Sequence, residues 1–282
     1  MVANQFKTAL LLGALSGLLF LLGYYFGGQA GIYIALFMAL IMNFVAYYFS
    51  DKLVLKMFKA QQLDKEQYSH IYDMIHDLCQ EMKLPMPKLW YIPTDMANAF
   101  ATGRNPKNAS VAVTKGILET LDHDELRGVL SHELSHVKNR DILVATVAAT
   151  LAMAIAYFAD ILRWTIMFSG RSDNRNRGIG AFIIAMFMPI AAMLIQLSIS
   201  RSREYLADET GSKYSKDPLA LASALEKLHS NVKSHKLAPE TSAQASTASL
   251  FIVYPFSAKG FLNLFSTHPP VEKRIERLRK MA

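Results

Sequence analysis

Cysteine is almost absent from this chain of 282 residues, which contains a single example, Cys79. One cysteine excludes an internal disulfide and is compatible with a reducing compartment. Charged residues are also sparse, at 19%, whereas apolar residues make up 52%. Ordinary soluble domains carry about 25% charged residues. This imbalance indicates that part of the chain lies in a membrane.

A basic stripe interleaved with aromatic residues is missing as well, and the sequence contains no nucleic-acid-binding motif. The net charge of +7 therefore favours a protein that lies beside anionic lipid. We expect a lipid bilayer and polypeptides as partners, and no nucleic acid.

Two long apolar runs open the chain, at 8–27 and 31–49, and a short glycine-rich turn joins them. The first run has transmembrane length, and a signal peptide is its competing interpretation. Two adjacent runs predict a transmembrane hairpin over residues 1–50. Because Lys52, Lys56 and Lys59 follow it, the positive-inside rule places the next segment in the cytoplasm.

Two further apolar stretches, at about 142–168 and 180–200, predict a second hydrophobic hairpin over 142–200. An even number of membrane crossings leaves residues 51–141 and 201–282 on the same side of the membrane. They are predicted to be the two parts of a single catalytic domain. If both stretches crossed the membrane fully, the turn that joins them, with Arg171, Arg175 and Arg177, would lie on the outer side. That placement is against the positive-inside rule. The hairpin therefore either crosses the bilayer or only enters it.

Apolar periodicity predicts mixed secondary structure in the polar parts of the chain. The predicted helices are 65–83, a helix that begins at Asp122, 219–228 and 270–279, and the predicted strands are 88–92, 98–102 and 110–114. Residues 231–249 are predicted to form a mobile loop. It would serve either as a tether or as a cover over the active site. The basic side of the last helix is expected to face solvent or lipid.

The pentapeptide His132-Glu133-Leu134-Ser135-His136 is the strongest signal in the chain. Residues four apart share a helix face, so His132 and His136 can bind one metal ion together. Glu133 stands beside the first ligand, where it can act on a water molecule. Two imidazoles with an adjacent carboxylate are typical of a zinc peptidase. Asp122 and Glu125 form a predicted capping box that starts this helix.

A catalytic zinc needs a third protein ligand, and Glu204 is the best candidate. Glu204 and Asp208 are four apart on a predicted helix. That spacing suits one carboxylate on the metal and a second that holds a ligand imidazole. His123 and His268 are weaker candidates for the third ligand. A continuous helix from His136 into the third apolar stretch would place this histidine about 9 Å from the stretch.

Four separated motifs carry a family resemblance, and they span nearly the whole chain. These are NAFATG at 98–103, HELSHVKNRD at 132–141, SRSREYLAD at 200–208 and THPPVEKRIERL at 267–278. Together with the hydrophobic pairs, they resemble the HtpX family of bacterial membrane zinc metalloproteases, which is related to the CAAX prenyl endopeptidases. The resemblance implies a mostly helical α+β membrane protein with four hydrophobic segments. Its catalytic domain would be of the zincin type (a gluzincin) and contain a small β-sheet.

The resemblance also implies a role for each matching residue. One Zn²⁺ per chain would be held by His132, His136 and Glu204, with Glu133 catalytic and Asp208 supporting a ligand. His268 matches a position that stabilises the oxyanion. Asn98 matches a residue on an edge strand that contacts the substrate backbone. These assignments are expectations from the resemblance.

The implied function is quality control of misfolded or damaged membrane proteins under stress. It would take place at the cytoplasmic face of the bacterial inner membrane, in a multi-pass protein. One alternative is an intramembrane metalloprotease, although the polar start of the motif helix disfavours burial in lipid. The other alternative is a non-catalytic membrane scaffold or transporter with a structural metal site.

Overall fold

The computed structural model describes residues 2–152, 201–235, 250–252 and 269–282. Most of the predicted second hairpin and His268 lie outside these residues. The described part is mostly helical and contains a small mixed sheet. The helices are α1 Val2–Met57, α2 Ser69–Met82, α3 Lys115–Thr120, α4 His123–Asn139, α5 Ile142–Ala152, α6 Arg201–Ser215, α7 Pro218–His235 and α8 Val271–Arg279. The strands are β1 Gln61–Gln62, β2 Lys88–Ile92, β3 Ala99–Gly103 and β4 Ala109–Thr114.

Helix α1 reverses direction at Gly28, whose backbone angles (φ 55°, ψ −136°) are not helical. The two arms meet where the amide of Asn43 donates a 2.9 Å hydrogen bond to the hydroxyl of Ser16. Gly23 and Gly31 approach so closely that neither position has room for a Cβ atom. The arm that covers Gly27–Met57 is long and apolar enough to cross a membrane. Membrane crossing by both arms remains a prediction.

The sheet has the strand order β1-β2-β4-β3, with β2 and β4 parallel and the other pairs antiparallel. Strand β3 therefore lies at the edge of the described sheet. The backbone N–H of Thr114 donates to the carbonyl of Asn98. Since backbone bonding alternates along a strand, Ala99, Ala101 and Gly103 direct their backbone groups away from β4, toward the open edge.

Both faces of the sheet are covered. One face carries Leu89 and Val111, which join the main core formed by α2, α4 and α7. Phe100 lies on the opposite face, in a second cluster with Val54 of α1 and Ala149 of α5. Helix α1 thus continues from its apolar arms directly onto the sheet.

Helix α4 begins as predicted. The Asp122 carboxylate accepts from the N–H groups of Asp124 and Glu125, and Glu125 in turn accepts from the N–H of Asp122. The chain does not continue as one helix beyond His136, because Arg140 takes a left-handed conformation (φ 56°) and ends α4. A separate helix, α5, then starts at Ile142.

Two helix boundaries differ from the sequence predictions by several residues. Helix α2 begins at Ser69 rather than at residue 65, because the Asp64 carboxylate accepts from two following backbone N–H groups and forms a turn. Helix α7 continues to His235, so the predicted loop at 231–249 is helical at its start. Most described residues of α5 are buried in the protein.

Glu125 offers a test of how α4 is anchored. Its buried carboxylate accepts from Ser223 and Lys227 of α7, each at 2.6 Å, in addition to capping α4. Glu125→Ala removes the capping contact and both hydrogen bonds of a buried carboxylate to α7, at a cost of roughly 1–3 kcal/mol. We expect the thermal unfolding midpoint of the detergent-purified protein to fall by about 4 °C.

The control is Glu119→Ala, which removes an exposed carboxylate 3.6 Å from Lys115. Exposed pairs of this kind contribute little to stability, so its midpoint should stay near that of the wild type. Equal midpoints for the two variants would contradict the anchoring role of Glu125.

Candidate metal centre

Three side chains from two helices converge at one buried point. His132 and His136 of α4 and Glu204 of α6 each offer a ligand atom, and these atoms all lie within 4.8 Å of one another. The two Nε2 atoms are 3.2 Å apart. The Glu204 carboxylate lies 3.6 Å from Nε2 of His132 and 3.8 Å from Nε2 of His136.

An aspartate lies behind each imidazole. Nδ1 of His132 is 3.0 Å from the Asp208 carboxylate, and Nδ1 of His136 is 3.1 Å from that of Asp141. A carboxylate at Nδ1 keeps the ring hydrogen there and leaves Nε2 as a lone-pair donor. Asp141 was missed from sequence, although it stands in the same motif, five residues after His136.

These contacts fit a bound cation. When each ring hydrogen is on the Nδ1 beside its aspartate, the Nε2 lone pairs of His132 and His136 lie 3.2 Å apart. Two lone pairs so close repel unless a positive charge lies beside them, and the Glu204 carboxylate adds further negative charge. Two imidazoles and one carboxylate form a donor set that catalytic zinc uses.

Arg274 of α8 completes the support of the site. Its fully buried guanidinium donates two hydrogen bonds to Asp208, at 2.8 and 2.7 Å, and a third to the carbonyl of Ile252 at 2.9 Å. Burial alone would raise the pKa of Asp208, but Arg274 and His132 outweigh it and lower this pKa to about 2. Asp208 is therefore a carboxylate at neutral pH.

The sequence analysis missed Arg274. It assigned the basic side of the last helix to solvent or lipid, which is wrong for this residue. Arg274 follows Val271 by three positions and precedes Leu278 by four, so it lies on the face of α8 that packs inward. That spacing was the available signal.

Glu133 lies near the donor cluster and reaches the sheet. It is buried, and its Oε2 accepts a 2.9 Å hydrogen bond from the backbone N–H of Ala101 on edge strand β3. Burial raises the pKa of Glu133. A carboxylate with a raised pKa and one fixed oxygen is suited to accept a proton and to return it.

A close approach of α4 and α6 brings Glu204 to the histidines. Ser131 donates a 2.8 Å hydrogen bond to the carbonyl of Gly211. A Cβ atom at Gly211 would lie only 2.9 Å from the backbone nitrogen of His132. The absence of a side chain at Gly211 therefore sets the distance between α4 and α6.

The remaining predicted residues lie around this centre or outside the described part. Asn98 is buried at the start of β3, and its Oδ1 accepts from the N–H of Ile252 at 3.2 Å. Among the described residues, its Nδ2 has no hydrogen-bond partner. His123 is exposed at the start of α4, beside Asp124, and lies outside the donor cluster. It is therefore not the third ligand.

A helix that carries HExxH and faces a glutamate from a later helix is typical of one class of metallopeptidases. Residues 65–282 match peptidase family M48, and the chain belongs to this family.

Similar proteins cover almost the whole chain. A protease HtpX homolog of Syntrophobacter fumaroxidans is 50% identical over 99% of this chain and 100% of its own length. Homologs of the same name from Persephonella marina and Thermococcus sibiricus are 49% and 48% identical, over 99% and 98% of this chain and over 98% and 95% of their own lengths. This chain is a membrane metalloprotease.

A solved structure shares the fold. The crystal structure of S. mikatae Ste24p aligns with 98% of this chain at a TM-score of 0.54 and 16% sequence identity. This chain spans 66% of the length of that protein. The small sheet and the helical catalytic core therefore belong to a fold that extends to distant proteins.

Gly211→Ala tests the spacing between α4 and α6. The added methyl group should push α6 away from His132 and draw Glu204 back from the two imidazoles. We expect zinc affinity to fall about tenfold or more, in line with changes to groups that support metal ligands. The measurement is competition for zinc against a chelator.

Gly128→Ala is the matched control. Its added methyl group would lie 3.1 Å from the backbone of Leu221 and would crowd α4 against α7 rather than against α6. Its zinc affinity should remain within about twofold of the wild type. Equal losses in the two variants would indicate a general packing defect and contradict this spacing role.

Proposed function

We propose that the chain is a zinc endopeptidase in which His132, His136 and Glu204 hold one Zn²⁺. The supporting observation is the pair of Nε2 atoms, 3.2 Å apart, that converge beside the Glu204 carboxylate. In this proposal Asp208 and Asp141 fix the orientation of the two imidazoles, and Arg274 keeps Asp208 in place.

Glu133 is proposed as the general base. Bound zinc supplies Lewis acidity, which polarises a carbonyl and lowers the pKa of water. Glu133 removes the proton of the attacking water molecule and passes it to the nitrogen of the leaving amine. The N–H of Ala101 holds Oε2 of Glu133, so Oε1 is the oxygen for the water. His268 would donate a hydrogen bond to the oxyanion.

The substrate is proposed to bind as an extended strand along β3. Ala99 directs its backbone groups toward the open edge of the sheet, where a peptide can add by backbone hydrogen bonding. Ala101 offers its carbonyl there, because its N–H is already bound to Glu133. The Nδ2 of Asn98 would donate to a substrate carbonyl. Recognition through backbone groups tolerates many sequences, which suits a protease that removes misfolded or damaged proteins.

The membrane arrangement is proposed from the apolar segments. Residues 1–50 would anchor the chain as one hairpin, 142–200 would form a second, and 51–141 with 201–282 would form the catalytic domain. The lysines that follow the first hairpin favour the cytoplasmic face of the bacterial inner membrane. Lys52 lies 5.3 Å from the ring centroid of Phe49, an aromatic and basic pairing typical of a membrane interface. Membrane proteins with damaged cytoplasmic segments are the proposed substrates.

Glu133→Gln tests the proposed base. The amide can still accept from Ala101, but it cannot take a proton from water. We expect a loss of turnover of about a hundredfold or more with zinc retained, measured as cleavage of casein and of a model membrane protein. Cleavage at the wild-type rate by the purified variant would exclude this mechanism.

Glu204→Gln tests the proposed third ligand. A neutral amide is a much weaker zinc donor than a carboxylate, so bound zinc should fall to below about a tenth of the wild-type amount under chelator competition. Glu209→Gln, an exposed carboxylate on the same helix, serves as the control and should retain zinc. Full zinc retention by Glu204→Gln would remove Glu204 from the ligand set.

A further inference from the structure

We propose that Thr146 of α5 is a positioning residue for the reaction, because its hydroxyl holds edge strand β3 in place against Glu133. This inference rests on the proposed function, in which β3 binds the substrate and Glu133 is the base. No motif in the sequence singled out Thr146, and it lies in the first turns of a segment predicted only to be hydrophobic.

The hydroxyl of Thr146 connects α5 to the end of β3. Its Oγ1 lies 3.0 Å from Oγ1 of Thr102 and 3.4 Å from the backbone nitrogen of Gly103. Thr146 also donates its own proton to the carbonyl of Ile142, at 2.7 Å. A hydroxyl has one proton, so Thr146 accepts from both Thr102 and Gly103. Both threonine side chains are buried.

These contacts hold the strand on its open side. Ala101 and Gly103 both direct their N–H groups away from β4, the first to Glu133 and the second to Thr146. Two protein groups, two residues apart on β3, thus occupy positions where a neighbouring strand would otherwise bond. A shift of β3 would move Ala101 and release the carboxylate of Glu133.

The start of α5 also supports the metal centre. Asp141 immediately precedes α5, and its carbonyl accepts from the N–H of Ala145, while its carboxylate lies beside Nδ1 of His136. One short segment therefore contacts a proposed metal ligand through Asp141 and the proposed substrate strand through Thr146. This arrangement fixes the distance between the strand and the proposed metal centre.

Thr150 provides a matched control one helical turn further along. It is buried on the same helix and donates to the carbonyl of Thr146 at 2.8 Å. Within the described part of the chain, no hydrogen bond joins Thr150 to β3. Thr146→Val and Thr150→Val therefore make the same isosteric change in similar surroundings, and only the first removes the contact with the strand.

The first experiment does not depend on catalysis. Amide hydrogen exchange of the zinc-loaded, detergent-purified protein is measured over β3. In Thr146→Val we expect the amides of Ala101 and Gly103 to exchange about five- to tenfold faster, the effect of losing one hydrogen bond. In Thr150→Val they should exchange at the wild-type rate. Equal exchange in the two variants would overturn the proposal.

The second experiment measures KM and kcat per bound zinc with a peptide substrate. Thr146→Val should raise KM and lower kcat/KM by about tenfold, because both the substrate strand and Glu133 lose their fixed position. Thr146→Ser should restore both values, and Thr102→Val added to Thr146→Val should cause little further loss. A variant with a smaller fraction of folded protein would show a lower apparent kcat but the wild-type KM. An unchanged KM in Thr146→Val would therefore overturn the proposal.

Failure of this inference is distinguishable from failure of the proposed function. Wild-type protein that binds zinc but cleaves nothing would count against the endopeptidase itself. In that case peptide affinity is compared between Glu133→Gln alone and Glu133→Gln with Thr146→Val. Weaker binding in the double variant supports the role of Thr146, and equal binding contradicts it.

Discussion

The orientation of two imidazoles is the constraint on which the site depends. Asp208 and Asp141 lie at the Nδ1 atoms of His132 and His136, so both Nε2 lone pairs point to one place. Glu204 adds negative charge there, so the place suits a cation, and the guanidinium of Arg274 lies at its edge, 3.7 Å from Glu204 and 3.5 Å from Nε2 of His132. The surrounding residues hold the carboxylates of Asp208, Asp141 and Glu204 in position. This support is needed because an unpaired charge in the protein interior is costly.

The fold meets this requirement by bringing distant segments close to α4. Gly211 lets α6 approach and deliver two carboxylates, α8 adds the guanidinium of Arg274, and the break at Arg140 places Asp141 behind the second histidine. The edge strand β3 also contacts α4, where Ala101 holds the carboxylate of Glu133. The proposed substrate strand, base and metal ligands are thus positioned by different elements that meet at one helix.

Much of this site was predictable from sequence, for a physical reason. Helix periodicity alone places His132 and His136 on one face, and the same spacing pairs Glu204 with Asp208. Arg274 was not predicted, because an arginine in a basic helix usually faces water, and only its partner Asp208 explains its burial. Asp141 was not predicted because a continuous helix would have carried it away from His136. The left-handed turn at Arg140 reverses that outcome, and apolar periodicity gives no signal for it.

X-ray absorption at the zinc edge of the purified wild-type protein tests the central claim most directly. The account predicts two imidazole ligands, with the remaining positions filled by oxygen donors. Sulfur should be absent, because the sole cysteine, Cys79, is buried in α2 away from the centre. A sulfur ligand, or a third imidazole in place of the carboxylate, would contradict the assignment of Glu204 and with it this description of the site.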